Sequence, residues 1–359
     1  MAEEPSAIDR HGDLRLKVGS PQQAGDTLCQ SVEFLVCSRA LARASPVFDR
    51  MLYGAFAKAS HNQEGSEGWT VELKEDKPAA MEVFLNVAHA NFARVPHVLS
   101  VDGLYDVAVL THYYDATRLL APWVGSWMAS IVEMTRDANV IMPKMLWISW
   151  EFGRKEDFIA VARRMLMETK TPWAMEPDSG DDAVQTPPHI VGKKSPLDMK
   201  ALPGAKGSDV KSKRINTLRV QTIQELLDIV KDLVAKLMVV DEEPRWCHHA
   251  TYLGHHRCES MLLGSITFCL ARAGLWPLPE AVDVELSLFD LYRVLATLVI
   301  HDIGKTNEKP AVDHQDCNPS PQLLNQVQMV MGQIPSPLTD FHVKHLEEQA
   351  QRLKHGAPT

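Results

Sequence analysis

Histidine, cysteine and aspartate come together in two stretches of this 359-residue chain whose residue types suit metal chemistry. The first is His301-Asp302-Ile303-Gly304-Lys305, at the end of an apolar run. An adjacent imidazole and carboxylate offer nitrogen and oxygen ligands to a divalent metal that activates water. His248, His249, His255 and His256 upstream and Asp313 and Asp316 downstream are the further ligands such a site would draw on. The second stretch is Cys247-His248-His249 with His255-His256 and Cys258, to which His314 and Cys317 can be added, all zinc-binding types. On an uninterrupted helix, Cys247 and Cys258 share a face but stand about 16 Å apart at about 1.5 Å per residue, too far for one ion. A shared site needs a break at Gly254, or ligands from another element, such as Cys258 with His301, His314 or Cys317. The spacing is not C-x-x-C. Buried cysteines with surface histidines is the simpler reading, so the sequence leads us to assign no metal ligand, no cofactor and no catalytic residue.

Other chemistries fail on spacing. A phosphate loop ending Gly304-Lys305-Thr306 needs a glycine at Val299, and Gly192-Lys193 needs one at Pro187. No Gly-x-Ser-x-Gly elbow is present. The net charge of -9, from 46 acidic and 37 basic residues, argues against a nucleic-acid partner, since phosphate neutralisation needs a basic surface. Apolar runs fall short of a membrane span. Met1-Ala-Glu-Glu starts no signal pattern and the six cysteines are scattered, so we expect free thiols in a reducing, intracellular setting, cytoplasm or nucleus.

The elements that would position these residues are legible from periodicity. Leu14-Arg-Leu-Lys-Val18 and Trp69-Thr-Val-Glu-Leu73 alternate, and Glu33-Phe-Leu-Val36 is apolar and β-branched, so three strands are expected. Residues 39–53 have helical spacing interrupted at Ser45-Pro46, which predicts two short helices. Helices are also expected over 78–89, 103–111 and 116–128. Residues 172–214, rich in Pro, Gly, Asp, Ser and Lys, read as a flexible linker. Beyond it, Ile223, Leu226, Leu227, Val230, Leu233, Val234 and Leu237 make 215–240 strongly amphipathic, either a coiled-coil pairing face or a core-facing helix. Residues 246–275, 286–300 and 321–331 read as helices as well. The bland reading of His301 and Lys305 is a helix C-terminus capped by Gly304.

Gly12-Asp13-Leu-Arg-Leu-Lys-Val18, Phe34-Leu-Val-Cys-Ser-Arg-Ala-Leu41 and Ala44-Ser45-Pro46-Val47-Phe48-Asp49-Arg50-Met51-Leu52, in that order, resemble the start of a BTB/POZ domain. The matching residues are Asp13, Phe34, Cys37, Leu41, Ser45, Pro46, Val47, Phe48 and Met51, with Cys37 where the family usually has His. Val71, Leu73, Asp76, Pro78, Met81 and Phe84 resemble the family's next strand and helix, and Leu104, Val107, Ala108, Tyr114 and Leu119 its later helices. The resemblance covers about a third of the chain. Trp147-Ile-Ser-Trp-Glu-Phe-Gly153 and the 264–277 region resemble the long tails of filamentous-fungal BTB proteins.

The resemblance implies an α+β N-terminal BTB/POZ domain, a small sheet flanked by helices, followed by a mainly α-helical C-terminal region. The expected division is a disordered start over 1–9, the BTB/POZ domain over 10–127, a helical extension over 128–171, the linker over 172–214, a helical domain over 215–345 and a disordered tail over 346–359. It also implies a non-enzymatic protein-protein interaction module that forms a homodimer or binds a partner such as a cullin-type ubiquitin-ligase scaffold or a transcriptional corepressor. No membrane or small-molecule partner is expected. Asp13 would lie near the self-association surface or cap a local turn. The alternatives are an HD-type metal phosphohydrolase, whose core string His301-Asp302 resembles, and a zinc-organised helical binding domain. Thr306-Asn-Glu-Lys-Pro310 is unlike the HD family's continuation.

Overall fold

The three expected strands form, the two alternating ones over 14–18 and 69–73 and the apolar, β-branched one over 32–36. The computed structural model describes residues 6–20, 31–54, 69–134, 141–170, 187, 214–239, 245–247, 249, 256–307 and 311–355. β1 (Ser6–Ala7), β2 (Leu14–Val18), β3 (Val32–Val36) and β4 (Trp69–Leu73) make one sheet in the order β1-β3-β2-β4. β2 and β3 are antiparallel, with Leu14 opposite Val36 and Val18 opposite Val32; β4 runs parallel to β2, with Leu16 opposite Val71. The period of two on β2 sends Leu14, Leu16 and Val18 into the core and leaves Lys17 exposed. β1 lies within the stretch expected to be disordered; pairing of Ser6 with Phe34 and Ala7 with Leu35 gives its backbone partners.

Parallel pairing of β2 with β4 requires a crossover, which carries α1 (Ser38–Ala44) and α2 (Pro46–Tyr53). Ser45 breaks them apart. Its backbone is extended, φ -141° and ψ 122°, as the ring of the following proline demands. Its hydroxyl then accepts from the Phe48 N–H, and Pro46 occupies the first helical position. α3 (Pro78–Ala88), α4 (Val101–Tyr113) and α5 (Ala121–Met134) complete this unit. Phe48, Tyr114 and Phe84 form a three-ring cluster at its centre, with centroids 4.4 Å apart for Phe48–Tyr114, 5.9 Å for Phe48–Phe84 and 6.2 Å for Phe84–Tyr114.

α6 (Met142–Glu151) is buried on almost every side, and α7 (Lys155–Glu168) packs against it. The linker expected over 172–214 lies outside the described residues except for Pro187 and Arg214, the latter already helical. α8 (Arg214–Met238) buries Ile223, Leu226, Leu227, Val230, Leu233 and Leu237 against α7, α9 (Arg257–Arg272), α10 (Leu288–Ala296) and α11 (Ser320–Gly332). Its apolar stripe is thus consumed within the chain, and the coiled-coil alternative loses its face. Arg219 of α8 is 1% exposed, and its Nη2 donates to the carbonyls of Lys170, Val284 and Leu286 at 2.8, 2.9 and 2.8 Å.

Three expectations are corrected. The helix expected over 246–275 begins only at Arg257, and residues 245–247 lie outside it. The helix expected to end near His301 ends at Ala296, so Gly304 (φ +70°) turns a loop rather than capping a helix. The tail expected to be disordered from 346 is helical through His355 as part of α12 (Asp340–His355), which turns back onto α6 and α7. Burial of Leu346, and of His342 near the helix start, supplies the tertiary contact that local sequence does not advertise. The chain is therefore mostly helical with a small mixed sheet near its N-terminus. Among the described residues no helix is long and apolar enough to cross a membrane.

Candidate metal centre

Because α9 starts at Arg257, Cys258 stands in its first turn and Cys247 reaches it from the segment before the helix. The third element is the loop after α10. Asp302 Oδ1 accepts from the Gly304 N–H (2.9 Å), and Asp302 Oδ2 and the Ile300 carbonyl accept from Asn318 Nδ2 (3.0 and 2.9 Å). Lys305 pairs with Asp313 in an antiparallel bridge, and the His314 N–H donates to the Gly304 carbonyl at 3.0 Å. The 3-10 turn Gln315–Cys317 then brings Cys317 to the same side as His314.

The result is four buried side chains, Cys247, Cys258, His314 and Cys317, whose ligand atoms all lie within 4.8 Å of one another. Three edges of this cage are Cys247 Sγ to Cys317 Sγ, 3.9 Å; Cys247 Sγ to His314 Nδ1, 3.5 Å; and Cys317 Sγ to His314 Nδ1, 4.0 Å. A tetrahedral zinc with Zn–S of about 2.3 Å and Zn–N of about 2.0–2.1 Å has S–S edges of about 3.8 Å and S–N edges of about 3.5 Å. The cage fits one zinc ion. All five described cysteines are unbridged.

Neighbouring side chains hold the ligands in place. The buried Glu259 accepts from the Cys247 N–H (3.2 Å), and Arg245 Nη2 lies 4.0 Å from the same carboxylate oxygen. Trp246 Nε1 donates to the Cys317 carbonyl at 2.8 Å. Without a metal, burial and then the crowding of Cys247 and Cys317 push the Cys258 thiol far up, while burial and the neighbouring Cys247 push Cys317 up to about 11. A divalent cation reverses this, since coordination deprotonates a thiol outright. With four protein ligands in place the tetrahedron is closed, leaving no position for water or substrate.

Cys247 and Cys258, too far apart for one ion on an uninterrupted helix, meet because α9 begins only at Arg257, and the fold brings both to His314 and Cys317. The available signal was His314-x-x-Cys317, a chelating pair one turn apart. His301 and Asp302 are not brought into the cluster; His301 is exposed and the Asp302 carboxylate holds its own loop. Asp313 accepts from the Gln315 N–H, and the His249 ring sits edge-on to His314 at 5.7 Å. His248 and His255 lie outside the described residues.

The nine residues of the N-terminal motif serve the fold locally. Phe34, Leu41 and Phe48 are core, with Val47 and Met51 packed against it. Ser45 and Pro46 start α2. Cys37 precedes α1, and its N–H donates to His89 Nε2 at 2.9 Å. Asp13 accepts from the backbone N–H of Ser38 (2.7 Å) and from its hydroxyl (2.6 Å), capping α1 from the residue just ahead of β2. Although burial works against the charge, these two bonds hold the Asp13 carboxyl below its usual range. No protein-family description and no curated protein matches this chain.

Proposed function

We propose that the chain is a non-enzymatic, intracellular binding protein in which a BTB/POZ-type N-terminal module is joined to a helical region organised by a structural zinc. The closed set of three thiols and one imidazole carries this reading. It ties the segment before α9, the start of α9 and the approach to α11 into one knot, which a small loop-rich assembly gains from metal binding. Free thiols at such a site suit a reducing compartment. The N-terminal motif supports the interaction half: its residues build a sheet-and-helix unit whose surface carries the exposed aromatic rings Tyr53, Phe92 and Tyr113. A second copy, or an adaptor partner such as a cullin-type scaffold, would cover such a surface.

The test is elemental analysis together with solution molar mass of the full-length protein, purified without added metal and without chelator. One zinc per chain is the expected content; native protein free of zinc and of other divalent metal overturns the metal reading. A dimer that persists across a tenfold concentration range supports self-association. A monomer throughout overturns it and leaves the heterologous partner as the interaction reading.

A further inference from the structure

We infer that α12 is a strap over the N-terminal unit that acidification releases, with His345 as the proton-sensing group. The helix closes on α6, α7 and the 3-10 turn Thr117–Leu120, elements more than 170 residues earlier in the chain. Its contact is built on one aromatic face. The His345 ring lies flat on Trp150, centroids 3.7 Å apart and planes 6° from parallel, while Phe341 and His342 meet the same indole at 6.0 and 5.8 Å. His345 Nε2 is buried with no hydrogen-bond partner among the described residues. A neutral ring tolerates that; an imidazolium, which donates from both nitrogens, does not.

A second feature shows how closely the strap is seated. Gly153, between α6 and α7, has φ +60°, and a Cβ there would lie 2.3 Å from the Ala350 nitrogen and 2.7 Å from the Leu346 carbonyl oxygen. The backbone of α12 therefore rests on a notch that only glycine supplies. Beside it an open groove lined by Val124, Phe152, Leu346 and Ala350 leads to solvent.

The charged groups facing His345 are Glu151 of α6, His112 of α4, and Arg352 and His342 of α12 itself. At the rim, Lys155 Nζ pairs with Glu347 at 3.0 Å. Glu151 is the one group that would welcome a proton on His345, and it is already engaged from below by His112 Nδ1 at 2.7 Å and by the Thr117 hydroxyl. Both of those partners belong to the N-terminal unit and stay with Glu151 when the strap lifts. Burial accordingly dominates and pushes the His345 imidazole down to about 4. The sign follows from linkage: the seated form refuses a proton that the released form takes. Seating is intact above the ordinary histidine value near 6.5, weakens as pH falls towards 4, and changes no further below it, by up to about three-hundredfold in equilibrium constant.

The experiment is hydrogen exchange by mass spectrometry on the full-length protein from pH 7.5 to 4.5, corrected for intrinsic rate, with zinc measured in the same samples. In the wild type, protection of 340–355 should fall at least tenfold towards pH 4.5. His345→Phe keeps the flat ring without the titrating nitrogen and should stay protected there, at unchanged zinc content. Gly153→Val should expose 340–355 already at pH 7.5. Wild-type protection that persists at pH 4.5, or loss at the same pH in His345→Phe, overturns the proposal; so does full protection in a folded Gly153→Val. Because zinc is followed separately, failure of the metal centre in acid is distinguishable from release of the strap.

Discussion

Cys247 Sγ and Cys317 Sγ lie 3.9 Å apart across 70 residues of chain, one edge of a tetrahedron whose other corners are Cys258 and His314. That edge is close to the spacing one zinc imposes and almost twice an S–S bond of about 2.05 Å.

Removing one corner should empty the cage. Cys258→Ala or Cys317→Ala should lower zinc from about one per chain to below about 0.2 and destabilise by at least about 3 kcal/mol, since metal-binding energy is folding energy here. Cys269→Ala, outside the cage, should retain the metal. Elemental analysis and thermal denaturation of the three variants check this.

Zinc affinity should rise with pH. Burial keeps Cys258 and Cys317 protonated in the empty cage, so binding displaces at least these two protons, and the binding constant should grow by up to about a hundredfold per pH unit around neutrality. Competition titrations against a chromogenic chelator at pH 6.5, 7.0 and 7.5 measure the slope; a flat profile contradicts buried thiol ligands.

His301 and Asp302 should separate cleanly. The exposed His301 can become Ala with zinc content and melting temperature unchanged. Asp302→Ala frees the Gly304 N–H and Asn318 Nδ2, loosening the loop that presents His314, and should weaken zinc binding about 10–100-fold, as loss of a supporting partner does. Equal loss of a metal-dependent phosphatase activity in both variants would instead favour a catalytic role for the pair.

In the N-terminal unit, Ser45→Ala removes the acceptor for Phe48 N–H and the donor to the Tyr114 carbonyl (2.6 Å), and should cost about 1–2 kcal/mol. Asp13→Ala should cost about 1 kcal/mol. Since the folded Asp13 carboxyl is held below the ordinary aspartate value of 3.8, its contribution is complete above that pH and disappears as pH falls through the depressed value. Chemical denaturation at pH 7 and pH 3 should show the Asp13→Ala deficit shrinking in acid.

Arg219→Met should cost about 2–4 kcal/mol, because the carbonyls of Lys170, Val284 and Leu286 lose a common donor inside the protein. Urea unfolding measures it.

Local rules carried much of the architecture. Alternation in Leu14–Val18 and Trp69–Leu73, the Ser45-Pro46 break and the stripe on α8 each prescribe an element from neighbours a few residues away, and those elements form where expected. What local rules do not carry is where a chain leaves one element and meets another. The late start of α9 let Cys247 fold back on Cys258, and the loop held by Asp302 brought His314 and Cys317 to them, so the metal cage exists only through contacts distant in sequence. The same holds for α12: its polar sequence gives little helical signal alone, and it is the indole of Trp150 and the bare backbone of Gly153 that give His345 and Ala350 a place to settle.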